Sequence, residues 1–178
     1  MRTPGSGFTL VELCVGLAII AVLALMAMPS FSRLLESARL DTVFHATTAS
    51  LATARLTSVI RQVPVAVCPS RDGRQCRRDL AWEDGWIVFL DRARKGAPQA
   101  PGDVLDVFSP DLHGLAARST VGRHYVRFRP DGFSYGTNFT LRVCSRDPAL
   151  LLGEVVVNNG GRARSRRTAR TEPCPYTP

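Results

Sequence analysis

Lysine is nearly absent from this 178-residue chain: Lys95 stands alone beside 22 arginines. Histidine is scarce as well, and His45, His113 and His124 lie far from one another and from any cysteine pair. With no Cys-x-x-Cys either, the spacing of a zinc site is missing, and each histidine is read as a surface or core residue without chemistry. There is no P-loop to cradle a phosphate and no HExxH helix to hold a catalytic metal. No catalytic residue, metal or cofactor is therefore expected. The apolar share of 45% is ordinary, which excludes disordered and collagen-like classes.

What is present is positive charge. The formal net charge is +8. GC-rich coding favours Arg over Lys without any selection on binding, so the placement of the charge carries more meaning than its amount. The last 21 residues, NNGGRARSRRTARTEPCPYTP, hold five arginines and one glutamate. The length suits one domain with a single appendage. Of five cysteines, Cys14 sits in an apolar run, while Cys68, Cys76, Cys144 and Cys174 fall in the polar remainder. An even four there is what an oxidising compartment joins into two bridges.

The N-terminus supports such an address. From residue 8 to residue 29 the only charge is Glu12, and these 22 residues would span roughly 33 Å as a helix, enough to cross a hydrocarbon core. A cleaved secretory signal is the rival, but no A-x-A site follows the run and a carboxylate lies within its first turns. Arg2 keeps the short leader on the cytoplasmic side, so the remainder is exported. A carboxylate inside a membrane helix costs about 2.5 kcal/mol at mid-bilayer and needs a partner. Cutting between Gly7 and Phe8 would free an amine four residues from Glu12. In a helical assembly, that amine on one subunit would neutralise Glu12 on the next.

GFTLVEL followed by an apolar helix resembles the class III signal of type IV pilins and type II secretion pseudopilins. The resemblance implies cleavage by a prepilin peptidase at Gly7, N-methylation of Phe8, and Glu12 as an assembly residue; the alternative is an ordinary single-span anchor. It also implies an α+β chain of the type IV pilin fold. There a long N-terminal helix, its first half transmembrane, packs on an antiparallel β-sheet domain, and other major and minor pilins are partners. The implied address is the bacterial inner membrane, single pass with the C-terminal domain periplasmic, and then the pilus or cell surface. Pro29 removes one helical hydrogen bond and kinks the helix. The apolar pattern continues at Phe31, Leu34, Leu35, Ala38, Val43, Phe44, Leu51, Ala54, Leu56, Val59 and Ile60, so one helix is expected to about Arg61. The expected organisation is a leader at 1–7, a membrane half-helix at 8–29, an amphipathic half at 30–61, and a β-rich domain at 62–178 ending in the basic tail 158–178.

Beyond Arg61, strand-like runs occupy 63–68, 86–90, 104–108, 125–129, 139–144 and 154–157, with Asp72-Gly73, Asp84-Gly85 and Asp131-Gly132 as turns. One antiparallel sheet lying on the helix is expected, with 93–103 as a loop. Trp82 and Trp86 are read as core residues around a turn rather than a ligand site. CPSRDGRQC, WEDGWIVFLD and a C-terminal strand running into GGRAR resemble the FimT and GspH family of minor pilins and pseudopilins. Cys68 and Cys76 flank a turn, which suits a local bridge better than a nucleophile. Of the three pairings open to four cysteines, Cys68–Cys76 with Cys144–Cys174 is preferred, and the second bridge would tether the tail to the sheet.

Within the tail, Gly161, Arg162, Ala163 and Arg164 form a GRxR stretch that resembles the C-terminal motif of FimT-type minor pilins that bind DNA during natural transformation. The resemblance implies double-stranded DNA as a partner and Arg162 and Arg164 as its contacts. Arg166 and Arg167 extend the patch, and Arg170 joins it. The guanidinium fork suits phosphate and small neighbours allow close approach, so contact with a duplex backbone independent of sequence is expected. Tyr176 is the tail's one aromatic, which argues against a stacking platform for single-stranded bases. Two other readings of the tail stand beside this one: a solvated basic loop, and attraction to anionic lipid headgroups. The cluster Arg71, Arg74, Arg77 and Arg78 is diluted by Asp72 and Asp79 and ranks as a supporting contact, while Arg55 and Arg61 could border a groove. The competing function is structural: priming or capping a type IV pilus or a type II secretion pseudopilus without binding DNA.

Overall fold

Thr9 starts the helix. The computed structural model describes residues 9–136 and 138–176, without the side chains of 26–30. The Thr9 amide donates to Glu12 Oε2 at 3.4 Å and the Glu12 amide to Thr9 Oγ1 at 3.3 Å, a reciprocal capping box that opens α1, Leu10–Arg61. The T-x-x-E spacing of Thr9 and Glu12 is the sequence signal of this box. Among the described residues no helix is long and apolar enough to cross a membrane. Gly7, Phe8 and the leader 1–7 lie outside the described residues.

The chain divides into two compact units, one ending at Ala38 and the other running Arg39–Pro178. In the first, Leu13, Leu17, Ile20 and Leu23 are exposed along the helix, and Cys14 is a free thiol. In the second, Leu40, Val43, Phe44, Leu51 and Ala54 recur at helical spacing and are buried.

Eight strands follow: β1 Val65–Pro69, β2 Trp86–Leu90, β3 Val104–Phe108, β4 Leu115–Ser119, β5 Val126–Phe128, β6 Phe139–Ser145, β7 Leu151–Val157 and β8 Ala163–Arg167. They form two four-stranded antiparallel sheets, ordered β3-β2-β1-β5 and β4-β6-β7-β8, where one sheet was expected. Hydropathy alternation marks a strand but not its partner, and β5 pairs back onto β1 rather than forward onto β6. Two strands were missed, β4 (LAARS) and β8 (ARSRR), which contain no β-branched or aromatic residue; pairing with apolar neighbours overrides their poor propensity.

One core joins the Arg39–Arg61 part of the helix to both sheets. Val65, Val67, Val88 and Phe128 of the first sheet meet Phe139, Leu141, Val155 and Val157 of the second around Val43, Phe44 and Leu51. The first sheet buries its other face as well, around Ala66, Cys68, Ile87 and Phe89, which is why β1 and β2 read as unbroken apolar runs. Trp82 and Trp86 are core residues as expected. The Trp86 indole donates to Ser50 on the helix at 2.9 Å, and Trp82 packs on Phe139 at 5.2 Å between ring centroids. The turn between them needs Gly85: its φ is +122°, and a Cβ there would lie 2.3 Å from the Phe108 carbonyl oxygen.

Candidate nucleic-acid interface

Asn158 closes the turn that leads into the basic tail. Its carbonyl accepts from the Gly161 amide at 2.8 Å, and its side-chain oxygen accepts from the Arg162 amide at 3.2 Å. Gly161 holds φ +72°, and a Cβ there would lie 2.4 Å from the Gly132 carbonyl oxygen and 3.4 Å from the Phe128 ring. The glycine of GRxR is thus set by packing against the β5–β6 turn. From there the tail does not fray. It becomes β8, at the edge of the second sheet, with Val157 opposite Ala163, Glu154 opposite Arg166 and Gly153 opposite Arg167.

Strand alternation then separates the arginines. Arg164 and Arg166 share the face opposite the helix, while Arg167 lies on the inner face and pairs with Asp41 of the helix. Arg166 Nε donates to Glu154 at 2.8 Å, and Arg142 on β6 approaches the same carboxylate at 3.8 Å. Glu154 is only 8% exposed, and register places Arg118, Arg142, Glu154 and Arg166 side by side across the sheet. Glu154 offsets Arg142 and Arg166 in that row, and Arg118 at its end pairs with Glu83 instead. Arg162 and Arg164 are exposed, and among the described residues no carboxylate pairs with either. Residues 161–164 line one side of a groove of about 960 Å³, across which stand His45, Thr48, Arg55 and Val59 of the helix, while the Arg164 side chain stays on the sheet face away from it. Of the expected cluster, then, Arg162 and Arg164 have no carboxylate partner among the described residues, and Arg166 and Arg167, also exposed, are held in ion pairs with Glu154 and Asp41.

Past β8 the chain returns to the sheet through the Cys144–Cys174 bridge. The Tyr176 hydroxyl then donates to the Arg142 carbonyl at 2.6 Å and lies 3.2 Å from that of Ala116. Burial pushes the Tyr176 phenol well above the ordinary tyrosine range. A raised folded-state value means its stabilisation is complete below the unfolded value near 10 and is lost as pH rises beyond it. Stability should therefore decline from about pH 10 upward through this group, and Tyr176→Phe should flatten that part of the profile. Unfolding free energies of both chains between pH 8 and pH 12 check it.

The second bridge, Cys68–Cys76, closes a loop pinned by Asp72, whose carboxylate accepts from the Gln75 and Arg74 amides at 2.9 Å. Those amides hold the Asp72 carboxyl below the usual carboxylate range. Arg77 is neutralised by Asp79 and Asp84. One Gly-x-Ser-x-Gly pentapeptide does occur, at 132–136, but it lies in the β5–β6 loop with no helix after it. Ser134 is buried there, and its hydroxyl donates to the Asn158 carbonyl at 2.8 Å. It buttresses the tail's turn rather than forming a nucleophile elbow.

A long N-terminal helix packed on antiparallel sheets is the architecture of the type IV pilin fold. Two crystal structures of the type IV minor pilin FimU of Pseudomonas aeruginosa share it. One has a TM-score of 0.58 at 16% identity, covering 80% of this chain and 97% of that one. The second has a TM-score of 0.53 at 16% identity, covering 77% and 98%. The minor pseudopilin EpsH of the Vibrio cholerae type 2 secretion system gives 0.49 at 15% identity, covering 71% and 95%. No curated protein matches the sequence. The family model described as type II transport protein GspH matches residues 45–161, and the chain belongs to that family of minor pilins and pseudopilins.

Proposed function

We propose that this minor pilin binds double-stranded DNA, independent of base sequence, through Arg162 in the turn before the edge strand and Arg164 on it, with Arg55 of the nearby helix as a third contact. The observation that carries the reading is that these two arginines stay exposed without a carboxylate partner while their neighbours Arg166 and Arg167 are internally paired. Rigid strand geometry supports it further, since guanidinium groups fixed on a strand lose less entropy on meeting phosphates than groups on a loose tail. In this reading the chain is cut by a prepilin peptidase between Gly7 and Phe8 and methylated at Phe8. It is held in the inner membrane by residues 8–29, joins other pilins through Glu12, and presents β8 for DNA capture in natural transformation.

A structural role has its own supporting observation. Arginines on an unpaired edge strand also block edge-to-edge association, and a priming or capping pseudopilin needs nothing more of them. Affinity of the full chain, held in a nonionic detergent, for a 20-base-pair duplex separates the two when measured against salt. Three phosphate contacts give a log-log slope of about −2.7, or roughly 40-fold weaker binding between 50 and 200 mM salt, with little dependence on base sequence. A slope near zero, or no binding at 50 mM salt, leaves the structural role.

A further inference from the structure

A second basic cleft adjoins the β5–β6 turn that supports Gly161. It has a volume of about 360 Å³ and is lined by Arg94, Arg123, Arg127, Arg129, Tyr125 and Tyr135. Its arginines differ in what holds them. Arg127 is tied to the buried Asp91 at 2.6 Å and lies over the Tyr125 ring, 4.9 Å from the centroid. Arg129 lies over Tyr135 at 5.2 Å, with Asp131 at 3.7 Å. Among the described residues Arg94 and Arg123 have no carboxylate partner. A neighbouring cleft shares Tyr125 and adds Arg78 and Lys95, so positive charge continues along this side.

The cleft also has the aromatic surface that the tail lacks. Phe133 and Tyr135 are stacked at 5.1 Å with 6° between their planes, and both are well exposed, 41% and 55%. Between them Ser134 is clamped to the Asn158 and Asn159 carbonyls, so this pair is fixed to the turn that leads into GRxR. A duplex, about 20 Å across with its bases inside, has no means of presenting a π-face to such a pair, whereas a single strand offers one with every nucleotide.

We propose that this cleft binds single-stranded nucleic acid, with phosphates on Arg94 and Arg123 and a base stacked beside Arg129 on the Tyr135–Phe133 pair. The inference deepens the reading of the chain as a DNA binder and rests on it. The cleft takes unpaired nucleotides, and β8 takes the duplex backbone.

The test uses the full chain in detergent, with labelled dT12, a 20-base-pair duplex and inorganic polyphosphate as ligands. The variants are Arg94→Gln/Arg123→Gln, Tyr135→Ala and Arg162→Ala/Arg164→Ala, each checked for an unchanged melting temperature. Expected is a loss of at least tenfold in dT12 affinity for the first two variants, with duplex affinity within about twofold, and the reverse for the third. Polyphosphate should be insensitive to Tyr135→Ala. Unchanged dT12 binding in the cleft variants overturns the inference. So does equal weakening of both nucleic acids by every variant, or a Tyr135→Ala loss that polyphosphate shares. A duplex that never binds while dT12 does would overturn the reading of β8 and leave the cleft standing, so the two failures are told apart.

Discussion

Replacing Arg162 and Arg164 together by alanine is expected to lower duplex affinity about 30-fold at 150 mM salt and about 200-fold at 50 mM salt. The argument is electrostatic. Each phosphate neutralised by a guanidinium contributes about 0.9 to the log-log salt slope, so the double variant falls from about −2.7 to about −0.9. Extrapolated to 1 M salt, where counterion release contributes nothing, the two chains converge, and the gap between them opens as salt is lowered. Stability should hardly change, because neither side chain has a carboxylate partner among the described residues. Arg166→Ala is a sharper control than a distant arginine. It removes one charge from the same strand but leaves Glu154, 8% exposed, facing only Arg142 at 3.8 Å. It should destabilise the sheet while changing DNA affinity less than either Arg162→Ala or Arg164→Ala. Titration by fluorescence anisotropy across a salt series checks all of these. A double variant that keeps the slope of the parent chain would move the duplex contacts away from β8.

Gly161→Ala should be destabilising by roughly 2–4 kcal/mol and should weaken duplex binding although no charge is removed. Two costs combine. A non-glycine residue held at φ +72° is strained, and the added methyl would stand 2.4 Å from the backbone oxygen of Gly132, which cannot swing aside as a side chain would. Relief requires the 158–161 turn to lift from the β5–β6 turn, which displaces Arg162 and Arg164. The melting temperature should fall by roughly 5–15 °C. Gly160→Ala is the matched control. Its φ is not in the left-handed region and its nearest contact would be the Asn158 side chain at 3.3 Å, so it should stay within about 1 kcal/mol of the parent. Thermal unfolding by circular dichroism beside duplex titration checks both. A stable Gly161→Ala chain with full affinity would mean that the turn's geometry does not position the arginines.

How far the site was legible varies from residue to residue. Glycine-punctuated turns, helical spacing up to Arg61 and the apolar runs of β1, β2 and β3 were readable because they are local properties. Four cysteines in a polar remainder pointed to two bridges, and Cys68–Cys76 with Cys144–Cys174 are the bridges formed. The GRxR stretch was readable as a basic motif, but its glycine, read as letting DNA come close, is buried against the Gly132 turn.

What stayed hidden depends on partners far apart in the chain. ARSRR has no strand propensity of its own and becomes β8 only because β7 offers Glu154, Val155 and Val157 in register. The arginines therefore looked equivalent along the sequence, while in the fold Arg166 meets Glu154, Arg167 meets Asp41 from 126 residues away, and Arg162 and Arg164 meet solvent. The aromatic pair beside the tail was invisible for the same reason, since Ser134 reaches Asn158 across 24 residues. The sequence by itself determined the helix, the number of covalent bridges and the amount of positive charge, because periodicity, cysteine count and composition need no knowledge of contacts. Only the tertiary structure decided which charges are neutralised and which are left open, because a guanidinium's availability depends on the carboxylates that the fold brings within reach.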